Sequence, residues 1–153
     1  MDSAADPCLS DYSEAAHDGR FFCRATGVVV AGQGVLILGP SGSGKSCLAL
    51  TLMGLGAGLI CDDGMILSDD MRIARPEGAP PLIEARGVGL LRADPVAGAT
   101  LALMVDLSRA EPERLPPRRL AAVPAGAVPL ILGAGHPCLA PAITQYLHYG
   151  RDA

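Results

Sequence analysis

From Thr26 onward the apolar residues fall into short runs divided by glycine, proline and acidic residues, a pattern that predicts several strands and few helices. The stretch TGVVVAGQGVLIL sets two β-branched apolar runs around Ala31-Gly32-Gln33-Gly34. It predicts a hairpin that feeds a strand at Val35 to Leu38. A glycine-rich loop follows that strand directly. From Lys45 to Met53, the residues Leu48, Ala49, Leu52 and Met53 recur at helical spacing, and Gly54 and Gly56 end the helix. The whole forms a strand, loop, helix unit.

Further on, GLICDDG reads as a short buried strand that closes in two adjacent acids, Asp62 and Asp63, before Gly64 turns the chain. MILSDDMRIA predicts a second hairpin turning at Asp69-Asp70. The proline-rich RPEGAPP precedes LIEARGVGLL, and the strongest later strand is TLALMVDL, Thr100 to Leu107. The polar, proline-broken SRAEPERLPPRR is a loop, and an apolar run at Val128 to Leu132 leads into a short helix expected over Pro137 to Leu147. The fold class expected is α/β: a P-loop NTPase-like core with a mixed sheet and a phosphate-binding loop between strand and helix.

With 153 residues the chain has room for one core, and a domain of that size buries roughly 70% of its unfolded surface. A flexible acidic lead-in over residues 1–20 and a single P-loop kinase domain over 21–150 are expected. Charged residues make up 18% of the chain, below the roughly 25% common in soluble domains, which suggests that sister subunits cover some surface. The formal net charge of −4 provides no basic footprint for a nucleic-acid backbone. The five cysteines are odd in number and contain no CxxC pair, so buried free thiols in a reducing cytosol are expected rather than a disulfide framework or a zinc site. The longest uncharged run, Ala25 to Gly44, has the length of a membrane span, but its glycines fall where a strand, a turn and a phosphate loop are expected. The expectation is a soluble, cytoplasmic protein with no membrane partner.

Gly39-Pro40-Ser41-Gly42-Ser43-Gly44-Lys45-Ser46 satisfies GxxxxGK[ST] between a strand and a helix. Glycines let the backbone curl so that successive N–H groups point inward, and the positive end of the following helix adds attraction for an anion. Lys45 would reach the β and γ phosphates of a nucleotide, and the Ser46 hydroxyl would hold Mg²⁺. Two acids compete for the position beside Ser46. Asp106 ends the apolar strand LALMVD, as a generic P-loop protein requires. Asp62 and Asp63 close the strand after the P-loop helix, where the carboxyl ends of neighbouring parallel strands would bring them to Ser46. Paired acids suit transfer to a hydroxyl, one accepting the proton while the other orients or aids the metal.

The motifs GVLILGPSGSGKSCLAL, the DD of GLICDDG, and IEARGVGLL together resemble those of the HPr kinase/phosphorylase family, over roughly Ala25 to Leu120. The resemblance implies a short catalytic-core form, without that family's extra N-terminal domain, that uses ATP and Mg²⁺ to phosphorylate a serine of an HPr-like phosphocarrier protein. Some members use pyrophosphate, and the usual assembly is a homo-hexamer. It further implies that Gly39 to Ser46 hold the nucleotide, that Asp63 accepts the seryl proton with Asp62 as its neighbour, and that Glu84 joins Ser46 as a magnesium ligand. Arg114 matches an active-site arginine. Arg24 stands where the family has a histidine, none of His17, His136 and His148 fits that slot, and VPAGAVPLILGAGHPCLAP lacks the family's arginine-rich motif. Forward kinase chemistry with little phosphorolysis is therefore expected. A non-catalytic ATP-binding sensor and a P-loop kinase for a small metabolite are the alternatives, the first permitted by those departures and opposed by the presence of Asp62, Asp63 and Glu84.

Overall fold

The computed structural model describes residues 13–15 and 18–153. In chain order the strands are β1 (Ser13–Ala15), β2 (Arg20–Cys23), β3 (Thr26–Val30), β4 (Gln33–Leu38), β5 (Gly58–Cys61), β6 (Met65–Ser68), β7 (Arg72–Ala74), β8 (Leu82–Ala85), β9 (Gly89–Arg92), β10 (Gly98–Asp106), β11 (Leu120–Val123) and β12 (Gly126–Leu132). Among the described residues two helices accompany them, α1 (Lys45–Gly54) and α2 (Leu139–Tyr149). Ten strands form one mixed sheet in the order β1-β2-β6-β7-β10-β4-β3-β5, with β12 and β11 attached beside β10, while β8 and β9 make a separate hairpin.

The centre of the sheet is the pair β4 and β10, which run parallel from Leu101↔Gly34 to Asp106↔Leu38. Their apolar residues alternate between two faces. Val35, Ile37, Leu103 and Val105 meet α1 and α2 through Leu48, Leu52, Leu139 and Ile143. On the opposite face Leu36, Leu38 and Met104 pack on Met65, Leu67, Ile73, Val128 and Leu130, so other strands cover that side. Burying one such side chain contributes about 1.5–3 kcal/mol relative to leaving it in water, which makes this pair the best-anchored part of the sheet. The phosphate loop grows from its carboxyl end.

The expected hairpin is present as β3–β4, in register from Thr26↔Ile37 to Val30↔Gln33. Its turn residues Ala31 and Gly32 have φ of 52° and 74°, the doubly left-handed turn that suits the twist of two antiparallel strands. The β6–β7 hairpin turns through Asp69 and Asp70 as expected. One expectation is corrected. β5 is not a parallel neighbour of β4, because it pairs antiparallel with β3, which is itself antiparallel to β4. Two reversals restore the direction, so the end of β5 still lies at the same sheet edge as the end of β4. The outer edge of β5 is capped where the Val96 amide donates to the Leu59 carbonyl at 2.8 Å.

The last helix starts at Leu139 rather than Pro137 and continues to Tyr149. The Cys138 amide donates to His136 Nδ1 at 3.0 Å, which holds the preceding turn apart from the helix, and Gly150 with φ of 84° ends it. Strands β2 and β11 carry four residues each, too few for a clear periodic signal. Within the expected lead-in, Ser13–Ala15 pairs with β2, and residues 1–12, 16 and 17, with Cys8 and His17, lie outside the described residues. Among the described residues no helix is long and apolar enough to cross a membrane.

Candidate active site

The phosphate loop leaves β4 at Leu38, and α1 begins at Lys45 with Gly44 as its N-cap. Gly39 must be a glycine, since a Cβ there would collide with Ser43 Oγ. Lys45 Nζ donates to the Gly39 carbonyl at 2.8 Å and to the Pro40 carbonyl at 3.3 Å, which folds the ammonium over the loop. The Ser43 amide donates back to the Pro40 carbonyl at 3.0 Å. The buried Ser43 Oγ has no hydrogen-bond partner. A cation beside a loop that carries an unmatched buried hydroxyl fits an anion of phosphate size.

Behind the loop, Asp62 joins three separate elements. Its Oδ1 accepts from Ser46 Oγ at 2.7 Å and from Thr26 Oγ1 at 3.0 Å, and its Oδ2 accepts from the Glu84 amide at 3.1 Å. Helix α1, strand β3 and the hairpin strand β8 thus converge on one carboxylate. Because the Ser46 hydroxyl spends its single proton on Asp62, its lone pairs stay available to a cation. Ser46, Asp62 and Glu84 supply oxygen, the donor type that magnesium takes. Among the described residues no three His, Cys, Asp or Glu side chains form a metal cluster. A magnesium ion would therefore be held by few protein oxygens together with phosphate oxygens, its usual arrangement.

Asp63 differs from its neighbour. Its backbone is left-handed at φ 58°, a conformation Asp tolerates better than most residues. The turn is pinned because the Asp63 amide donates to Thr26 Oγ1 at 3.2 Å and the Gly64 amide donates to the Ala25 carbonyl at 2.8 Å. The side chain of Asp63 is exposed. One acid of the pair is held within the fold and the other faces solvent.

The pleat of the sheet decides between the competing acids. Thr26 lies opposite Ile37, and Ile37 belongs to the face that carries α1, so the Thr26 hydroxyl meets Asp62 on the Ser46 side. Asp106 is partnered with Leu38, which packs on the other face. Asp106 is wholly buried there and accepts from the Ser108 amide at 2.8 Å, Ser108 Oγ at 2.6 Å and Arg109 Nε at 2.8 Å. It is an internal anchor for the turn after β10.

Arg114 is exposed on the loop between β10 and β11 and makes none of the hydrogen bonds that unite Thr26, Ser46, Asp62 and Glu84. Arg24 is likewise exposed, next to Ala25, whose carbonyl holds the Asp63-Gly64 turn. Sequence reasoning missed Thr26 and Arg75. The Arg75 guanidinium donates to the Ala79 carbonyl and, at 3.4 Å, to the Ile60 carbonyl, tying the proline-rich loop to the strand that delivers the acids. The wholly buried hydroxyl of Thr26 was the available signal, at the start of an otherwise apolar strand. The expectation of buried thiols also needs correction: Cys23 and Cys61 are buried, whereas Cys47, on the first turn of α1, and Cys138 are exposed. Burial pushes the Cys23 thiol up to about 12 and raises Cys61, an effect that Arg75 partly offsets.

Residues 20–113, more than half of the chain, match the family described as HPr Serine kinase C-terminal domain. The chain belongs to that family. The HPr kinase/phosphorylase of Aromatoleum aromaticum is 42% identical over 105 residues, which cover 60% of this chain and 33% of that protein. The HPr kinase/phosphorylase of Bordetella petrii is 46% identical over 105 residues, covering 57% and 33%. The chain thus spans about a third of the length of these curated relatives. In three dimensions it is similar to the Hpr(Ser) kinase/phosphatase from Coxiella burnetii, with a TM-score of 0.68 at 26% identity over 83% of this chain and 88% of that one. The chain therefore shares a mixed α/β fold with that kinase/phosphatase, and its relatives are named HPr kinase/phosphorylase. The matched segment contains the phosphate loop, both acids, and the β8–β9 hairpin.

Proposed function

We propose that the chain transfers the γ-phosphoryl group of ATP to a seryl hydroxyl of HPr or an HPr-like phosphocarrier protein. The observation that carries this reading is the junction at Asp62, which ties the serine of the phosphate loop to the acidic pair and to Glu84. Phosphoryl transfer demands little covalent chemistry from the protein, mainly positioning and cations around the developing charge. Lys45, released from the Gly39 and Pro40 carbonyls, holds the β and γ phosphates. Ser46 and Glu84 hold Mg²⁺, with Asp62 orienting Ser46, and the ion when bound neutralises charge on the phosphate oxygens. The exposed Asp63 carboxylate accepts the seryl proton, a position that a protein-sized acceptor can reach. Arg114 supplies a further cation from its exposed loop.

An arginine side chain, unlike a histidine, offers no proton relay near neutral pH, so with Arg24 in that slot the reading includes little phosphorolysis of phosphoserine by inorganic phosphate. It also includes a homo-oligomer, expected to be a hexamer, in the cytoplasm. Val88 and Leu90, 76% and 68% exposed on the β8–β9 hairpin, are apolar surface that such an assembly would cover.

The decisive experiment incubates the purified chain with γ-labelled ATP, Mg²⁺ and HPr, then maps the modified residue by mass spectrometry. Label on an HPr serine is the expected result. ATP binding without label transfer would leave a nucleotide sensor, and label on a small molecule in place of the carrier would make it a metabolite kinase. For the reverse direction, phosphoserine HPr with Mg²⁺ and inorganic phosphate is expected to yield little pyrophosphate. Robust release would overturn the role given to Arg24.

A further inference from the structure

One buried hydroxyl touches both acids of the site. Strands β3 and β5 run antiparallel with Val28 opposite Leu59 and Gly27 opposite Cys61, so β5 spends one residue more than β3 between those pairs. The extra residue is Ile60, a β-bulge of the kind that re-aims side chains beside active sites. Its carbonyl is taken by Arg75 Nη1 at 3.4 Å. Had the register of Val28 and Leu59 continued unbroken, Ala25 would face Asp62 and Thr26 would face Cys61. The bulge instead carries Asp62 to Thr26 Oγ1, at 3.0 Å.

The hydrogen bonds at Thr26 run in one direction. An amide only donates, and the Asp63 amide donates to Thr26 Oγ1 at 3.2 Å; a carboxylate only accepts, so the Thr26 proton goes to Asp62 Oδ1. Ser46 Oγ donates to the same Oδ1 at 2.7 Å. A continuous path thus leads from the Asp63 main chain, through a side chain wholly shielded from water, to the serine of the phosphate loop. Linked bonds in so dry a setting strengthen one another. Among the described residues the Asp63 carboxylate itself accepts no hydrogen bond and forms no ion pair. Its place is therefore set by its main chain, whose φ of 58° is left-handed and carries a steric cost outside glycine. Two anchors hold that conformation, the Thr26 hydroxyl and the Ala25 carbonyl, which accepts from the Gly64 amide at 2.8 Å. Only the first can be removed by a side-chain change.

We infer that Thr26 is a positioning residue for phosphoryl transfer: its hydroxyl fixes the backbone from which Asp63 presents its carboxylate, and keeps that carboxylate in step with Asp62 and Ser46. This role rests on Asp63 as the acceptor of the seryl proton. Thr26 is wholly buried and touches neither nucleotide nor carrier, so its loss acts on the rate of transfer rather than on binding.

The test measures initial rates with labelled ATP and HPr, per folded molecule, for wild type, Thr26→Ser, Thr26→Val, Asp63→Asn and the double variant Thr26→Val with Asp63→Asn. Valine keeps the shape of threonine and removes the hydroxyl, and Thr26→Ala takes its place if the valine protein does not fold. Thr26→Val is expected to lower kcat about ten- to a hundredfold, the scale of a misplaced reacting group, with KM for ATP and for HPr unchanged. Thr26→Ser is expected to recover most of the rate. In the Asp63→Asn background Thr26→Val is expected to add little, since it acts through the group already removed. Losses of equal size in both backgrounds would make Thr26 merely structural and overturn the inference. Amide hydrogen exchange of the nucleotide-free proteins needs neither ATP nor carrier, so it separates failure of this inference from failure of the functional reading. The Asp63 and Gly64 amides are expected to exchange faster in Thr26→Val than in wild type or Thr26→Ser. Unchanged exchange at Asp63 in Thr26→Val would overturn the inference as well, whether or not the wild type transfers phosphate.

Discussion

Replacing Asp62 by alanine measures how much of the fold depends on the site's central carboxylate. Three hydrogen bonds end on Asp62, from Ser46 Oγ at 2.7 Å, Thr26 Oγ1 at 3.0 Å and the Glu84 amide at 3.1 Å. Thr26 is wholly shielded from water. Its hydroxyl would lose its acceptor, which costs about 1–3 kcal/mol for a buried polar group. Ser46 is half-buried and Glu84 exposed, so their donors turn to solvent and each loses only about 0.5–1 kcal/mol. The expected total is about 2–5 kcal/mol. Asp62→Asn keeps an oxygen for Thr26 and Ser46 but opposes an amide to the Glu84 N–H, for an expected loss of about 1 kcal/mol. Urea unfolding of the nucleotide-free protein, read by circular dichroism, should show a lower midpoint at unchanged slope. A cycle with Thr26→Val should yield a coupling of about 1 kcal/mol, because the two side chains share one bond. An Asp62→Ala protein within about 0.5 kcal/mol of wild type would refute the junction, whatever the outcome of any activity assay.

Lys45→Ala should abolish transfer and weaken ATP binding, since the loop's remaining contacts come from backbone N–H groups without full charge; undiminished labelling of the carrier would remove the loop from the mechanism. Asp63→Asn should lower transfer by about 10² or more, the usual worth of positioned proton transfer. Asp106→Asn should instead lower stability by about 1–3 kcal/mol through its buried contacts with Ser108 and Arg109, with transfer per folded molecule little changed, and the opposite ranking would move the chemistry to β10. In the alkaline range, the folded protein holds the Cys23 proton up to about 12 against an ordinary value of 9.0. Because the unfolded chain ionises first, stability should fall as pH rises from about 9 towards 12, by up to about 1.4 kcal/mol per unit. Cys23→Ala should flatten that slope in denaturation curves, and an unchanged slope would assign it to other groups.

What the sequence made legible is what local spacing encodes. The phosphate loop, the β3–β4 hairpin and its turn, and α1 each arise from residues within a few positions of one another, and each stands where the pattern puts it. The site's wiring is different in kind. Thr26 and Asp62 are 36 residues apart, and although the acidic pair stands out locally, nothing near Thr26 marks it as the partner of Asp62 until the sheet places them together. The choice between Asp62 and Asp106 depends on which face of the pleat each neighbour occupies, a phase that no local motif fixes. Arg75 holds carbonyls, not side chains, and a contact of that kind leaves no compositional trace. The exposure of Cys47 and Cys138 follows from their places at helix starts, whereas average preference for cysteine points inward.

The doubly left-handed turn at Ala31-Gly32 stands at the end of β3–β4 remote from the phosphate loop, yet it counts in residues and so fixes parity. Inserting or deleting a single residue there would shift β3 by one step along β4, and the position now held by Thr26 would go to Ala25 or Gly27, neither of which has a hydroxyl. The apolar contacts of the strand could be partly remade by its run of valines, but nothing could replace the lost donor to Asp62. The far turn is therefore a frame-setting element for the chemistry at the opposite edge, and length variation in it is expected to be silent in composition and decisive in activity.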